Sequence, residues 1–139
     1  MDNRLVVAAA AVLVVGAAGC STPPAALGGT TAKVTIDGQS TGDPHAVTCT
    51  QTGWMWQITT PDKAKSFTVA LDTGDQVSVQ SVDFRDFGGF TGTYWRDKIG
   101  EAEVEGVGGK FTITGSADGS FTDNPSNAVT TTFRIEASC

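Results

Sequence analysis

The amino-acid sequence predicts an all-β protein: a single β-sandwich or flattened barrel of about eight or nine short antiparallel strands. One disulfide would tie it together, and a signal-peptide helix would precede it. Three observations carry this expectation. Apolar and polar residues alternate from Lys33 to Cys139, the period of a strand with one buried face. Turn signals interrupt the alternation every 8–12 residues or so, the usual spacing in sandwiches and barrels. Gly, Thr, Val and Asp dominate the chain beyond its first twenty residues, a composition suited to strands and tight turns.

The elements follow in order. Val34 and Ile36 alternate with polar neighbours and stop at Asp37-Gly38, a hairpin signal. Val47 and Cys49 share one face of a second strand, and Trp54, Trp56 and Ile58 share a face of a third that Thr60-Pro61-Asp62 ends. Phe67, Val69 and Leu71 form the next, closed by Asp72-Thr73-Gly74-Asp75. Val77 and Val79 face one way, but Val82 and Phe84 have the opposite parity. One extra residue near Gln80-Ser81 reconciles them, so a β-bulge is expected there. Phe90 to Trp95 is an aromatic-rich strand, and Glu101 to Glu105 alternates acid with Ala102 and Val104. Phe111 and Ile113 lead to Ser116, after which Ala117-Asp118-Gly119 reads as a turn. The longest alternating run is Val129, Thr131, Phe133, Ile135 and Ala137. Only residues 61–66 have room for a single helical turn.

The amino terminus has a different character. Residues 5–18 are 14 uncharged residues of Leu, Val, Ala and Gly, short of the ~20 a membrane-spanning helix needs. With Arg4 before them they fit the apolar segment of a signal peptide. Ala17-Ala18-Gly19 supplies small side chains ahead of Cys20, and the stretch resembles the lipobox of bacterial lipoproteins. That resemblance implies cleavage after Gly19 and diacylglycerol on the Cys20 sulfur. The expected division is a signal peptide over 1–19, a flexible tether over 20–32 with lipidated Cys20, and a β-rich domain over 33–139.

The chain has three cysteines. With Cys20 committed to lipid, Cys49 and Cys139 remain as an even pair in an exported, oxidising setting and are expected to form a disulfide. Cys139 has the parity of the apolar face of the last run, as Cys49 has that of Val47.

Composition narrows the function classes. A net charge of −6 disfavours nucleic acid and electrostatic docking on anionic lipid, so membrane contact is expected through the anchor. His45 is the single histidine, in a turn-like loop. It has no metal-ligand partner at suitable spacing and no nucleophile motif near it. It reads as an exposed loop residue, and neither metal nor cofactor is expected. Asp83 and Asp86 supply too few converging oxygens for calcium, and nothing selects them as a paired-carboxylate catalyst. Glu101, Glu103 and Glu105 read as a solvated strand face. The aromatics form the candidate binding surface: Trp54, Trp56, Phe87, Tyr94 and Trp95. Alternating tryptophans suit a platform for sugar or acyl chains, or else a core. Phe87 and Trp95 lie off the main alternation, which makes one of them a candidate exposed anchor.

Taken in order, these pieces resemble the mycobacterial 19 kDa lipoprotein antigen family. The resembling stretches are Gly19-Cys20, Lys33-Val34-Thr35-Ile36-Asp37-Gly38, Val47-Thr48-Cys49-Thr50 and Val79-Gln80-Ser81-Val82. Phe111-Thr112-Ile113-Thr114-Gly115-Ser116-Ala117, Asn124-Pro125 and Phe133-Arg134-Ile135-Glu136-Ala137-Ser138-Cys139 complete them. The resemblance implies a lipid-anchored envelope antigen with a β-rich domain and one disulfide, its acylated amino terminus sensed by host Toll-like receptors. It brings no catalytic residues. The tether is shorter and poorer in threonine than in the best-known members, and the Trp54-Met55-Trp56 and Gly92-Thr93-Tyr94-Trp95 stretches are bulkier. The leading expectation is a non-enzymatic binding or host-interaction domain. Three alternatives stand beside it: a lipid or glycolipid carrier with an apolar cavity, a small envelope hydrolase, and a phage-encoded envelope lipoprotein blocking superinfection.

Overall fold

Alternating burial runs through a single antiparallel sheet in the computed structural model, which describes residues 30–42 and 44–139. The expected signal-peptide helix, Cys20 and most of the tether lie outside the described residues. The strands are β1 (Thr31–Ile36), β2 (Gln39–Ser40), β3 (His45–Ala46), β4 (Thr48–Thr52), β5 (Met55–Thr59) and β6 (Ser66–Asp72). There follow β7 (Ser78–Phe87), β8 (Phe90–Trp95), β9 (Glu101–Val107), β10 (Lys110–Phe121) and β11 (Val129–Ser138). Nine of them run in the order β2-β1-β11-β10-β8-β7-β6-β5-β4, while β3 pairs with β1 and β9 with β10. The sheet curls into a half-barrel, the flattened-barrel form of the expected all-β fold. No helix occurs among the described residues, and 61–65 is an irregular stretch of bends before β6 opens at Ser66.

The curl brings the inward residues of distant strands together. Phe84 of β7 meets Phe133 of β11 with ring centroids 5.4 Å apart, and Trp56 of β5 meets Phe111 of β10 at 5.7 Å. Ile58, Phe67, Val69, Leu71, Val82, Ile113 and Ile135 are wholly buried between these flanks. Each such side chain contributes about 1.5–3 kcal/mol by leaving water, and none has a polar atom to satisfy.

Local chemistry sets the connections. Asp37 and Gly38 have φ of +54° and +74°, the left-handed pair of a tight hairpin, and Ile36 pairs with Gln39 across it. The expected bulge in β7 is present: Ala70 faces Ser81, but Leu71 faces Val79, so Gln80 is the unpaired residue. Val79 and Val82 are thereby both buried.

Two expectations need correction. Ala117-Asp118-Gly119 is not a turn but the middle of β10, which pairs with β11 along one side. On its other side β10 forks, meeting β9 from Lys110 to Ser116 and β8 from Asp118 to Phe121. A Cβ at Gly119 would collide with the Thr91 carbonyl oxygen. The glycine serves close strand approach rather than chain reversal. The reversal falls later, over 122–128. The domain also begins earlier than Lys33, because Thr31 and Ala32 pair with Ser138 and Ala137 and Ala32 is buried.

Cys49 and Cys139 form a disulfide across a sequence separation of 90 residues, with Cα atoms 5.9 Å apart. It ties β4, at one end of the sheet path, to the residue just beyond β11.

Candidate functional site

The five aromatics of the expected binding surface are not brought together. Trp54 stands in the β4–β5 turn with 73% of its surface exposed, and Trp95 ends β8 with 53% exposed. Trp56 packs partly buried on the core. Phe87 and Tyr94 are buried and contribute no surface, which removes them from the candidate patch. The cause for Phe87 is a second irregularity in β7. Phe84 pairs with Gly92 but Phe87 with Phe90, and Asp86 takes a positive φ of +44° between them. That residue shifts the parity, so Phe87 joins Phe84 on the inner face. Tyr94 alternates inward between Thr93 and Trp95. Its hydroxyl reaches the Val79 carbonyl at 3.5 Å, and burial pushes its pKa up.

His45 is half-buried rather than an exposed loop residue. Its Nε2 lies 2.9 Å from Thr41 Oγ1, and its ring meets Phe87 edge-on at 4.7 Å. The Thr41 hydroxyl also reaches the Val34 carbonyl at 2.8 Å, which accepts from the Thr41 N–H at 3.0 Å as well. A cleft of about 380 Å³ opens beside His45, lined by Thr41, Thr60, Asp62, Lys65 and Asp86. Asp83 and Asp86 do not converge either. Asp83 accepts from Thr93 Oγ1 at 2.7 Å, and Asp86 accepts from Thr122 Oγ1 at 2.6 Å. No group of three or more His, Cys, Asp or Glu side chains placed to hold a metal occurs among the described residues.

What the register does assemble is a polar face on the outside of β5 to β8. Thr59, Thr68, Asp83 and Thr93 stand opposite one another across four strands. Gln57, Ala70, Ser81 and Trp95 form the adjoining row on one side, and Ser66 faces Arg85 on the other. Thr59 and Thr68 share a hydroxyl hydrogen bond of 3.1 Å. A groove of about 560 Å³ runs over this face, with Asp83, Arg85, Thr91 and Thr93 among its walls. Sequence reading singled out Asp83 and Trp95 separately. Their common signal is the outward half of the same alternation that marks the core, which was read only for its apolar half.

The described residues form a curled β domain tied by a disulfide, which suits a protein exported to an oxidising compartment. The chain belongs to the Mycobacterium 19 kDa lipoprotein antigen family, whose model matches residues 25–139. A protein of Mycobacterium avium subsp. hominissuis described as a lipoprotein is 36% identical over 141 residues, covering 100% of this chain and 97% of its own. Lipoprotein LppE of Mycobacterium tuberculosis is 34% identical over 109 residues, spanning 78% of this chain and 77% of its own. Lipoprotein LpqH of the same species is 32% identical over 155 residues, with 97% and 96% covered. Membership places the chain among lipid-anchored proteins of the cell envelope.

Proposed function

We propose that this chain is a non-catalytic envelope lipoprotein, cut after Gly19, acylated on Cys20, and displaying the β domain as a binding or host-interaction surface. The observation that carries the reading is Cys20 itself, preceded by Ala17-Ala18-Gly19 in a chain of this family. The tether between Cys20 and β1 reaches at most about 40 Å when extended, so the domain works close to the membrane. The Cys49–Cys139 bridge suits the oxidising side of that membrane. A host receptor for the acylated terminus is part of this proposal.

Two alternatives find less support. A lipid carrier needs an apolar cavity, whereas Phe67, Phe84, Phe87 and Phe133 occupy the interior with ring centroids 5.0 to 6.5 Å apart. A hydrolase needs an activated nucleophile, and the hydroxyl beside His45, that of Thr41, is engaged with the Val34 carbonyl.

Mass spectrometry of the membrane-extracted protein tests the proposal. The expected mature terminus is Cys20 bearing diacylglycerol, and Cys20→Ser is expected to yield protein without it. An unmodified mature Cys20 in the wild-type protein would overturn the reading.

A further inference from the structure

The outward face of β6, β7 and β8 carries two kinds of group side by side. Trp95 is exposed at the end of β8, a large apolar ring that no neighbour covers. Two residues back on the same face stands Thr93, a step of about 7 Å along a strand. Thr93 donates to one oxygen of Asp83, leaving the carboxylate with acceptor capacity to spare. Arg85, two residues along β7 on the same face, is exposed and makes no hydrogen bond or ion pair among the described residues. Thr68, paired with Asp83, adds a further hydroxyl. A groove of about 560 Å³, within the range of small-ligand sites, lies over Thr68, Asp83, Arg85, Thr91 and Thr93, with Trp95 one row outside its walls.

We propose that this face binds a neutral polysaccharide, one sugar ring stacking on Trp95 while the next rings of the polymer run along the groove and pair their hydroxyls with Asp83, Arg85 and the threonines. A sugar ring has an apolar C–H face and a rim of hydroxyls that both donate and accept. An indole beside a carboxylate, a guanidinium and hydroxyls complements both parts. Other occupants fit less well. β6 and β7 are paired on both sides, so they offer no free edge for an added peptide strand. Asp83 and a net charge of −6 oppose an anionic polymer. The inference rests on the envelope reading above, because it names a ligand class for the displayed surface.

The test is affinity electrophoresis of the full chain in detergent micelles through gels containing soluble mannan, dextran or laminarin. Retardation by at least one polymer is expected. Trp95→Ala and Asp83→Ala should each weaken it about tenfold or more, while Trp95→Phe, which keeps a stacking ring, retains most of it. Trp54→Ala, an exposed tryptophan in the β4–β5 turn rather than at the end of β8, should bind as the wild type does. Free migration in all three gels overturns the proposal, as does equal loss on Trp54→Ala or full binding by Trp95→Ala. Thermal melts of each variant confirm that the fold persists. The readout needs no lipid on Cys20, so failure of the anchor proposal and failure of this one are separable.

Discussion

Strands β4 and β6 both pair with β5, one on each side, yet they are held in different ways. β6 buries Phe67, Val69 and Leu71 completely and is flanked on its far side by β7. β4 has no buried residue and ends the sheet path. Its Cys49 is partly buried, and its one covalent tie is the bridge to Cys139. Burial secures the first strand, and a cross-link secures the second. The contrast shows how a domain this size spends a disulfide: on the edge where alternation yields too little apolar area to hold a strand by itself.

Removing the bridge is the strongest way to sharpen that comparison. Replacing Cys49 and Cys139 together by Ala should cost about 4–5 kcal/mol in the chain-entropy account of so long a loop. Denaturant unfolding measures the total, and hydrogen exchange should speed up across 48–52 well before 66–72. Equal acceleration in both strands would break the distinction. Next in size, Phe67→Ala should cost about 4 kcal/mol through lost burial and the cavity left behind. Here exchange should rise across β6 and β7 together, with the disulfide still formed. A loss confined to β4 would contradict the packing account. The smallest effect belongs to the tip of the β4–β5 hairpin, where Trp54→Ser should change stability by under about 0.5 kcal/mol. A clear loss in its thermal melt would mean that the exposed indole supports the hairpin after all.

Much of the fold was legible because its signals are local. Asp37-Gly38 between two alternating runs favours the left-handed pair of a tight hairpin, and the parity break between Val79 and Val82 demands one extra residue within the strand. Other signals misled because the same residue answers two needs. Gly119 resembles a turn glycine in the chain, but it is a strand glycine because β8 approaches it. Phe87 looked outward because its odd spacing from Phe84 fits an exposed aromatic as well as a second bulge, and only the shift at Asp86 decides for the bulge. The candidate site was read in fragments for a related reason. Alternation in β8 places Thr93 and Trp95 on one face, but nothing in the chain says that Asp83 and Thr68 stand beside them.

The amino-acid sequence by itself determined the strand class, the first bulge, the cysteine pairing and the resemblance to an envelope lipoprotein. These follow from periodicity, turn chemistry and the count of three cysteines, none of which depends on which strands meet. Only the tertiary structure decided that β10 forks between β8 and β9, that Tyr94 and Phe87 lie inside, and that Trp95 stands one row from a polar groove. Each of those depends on partners far away in the chain, and contacts between distant segments form only when the sheet curls and pairs.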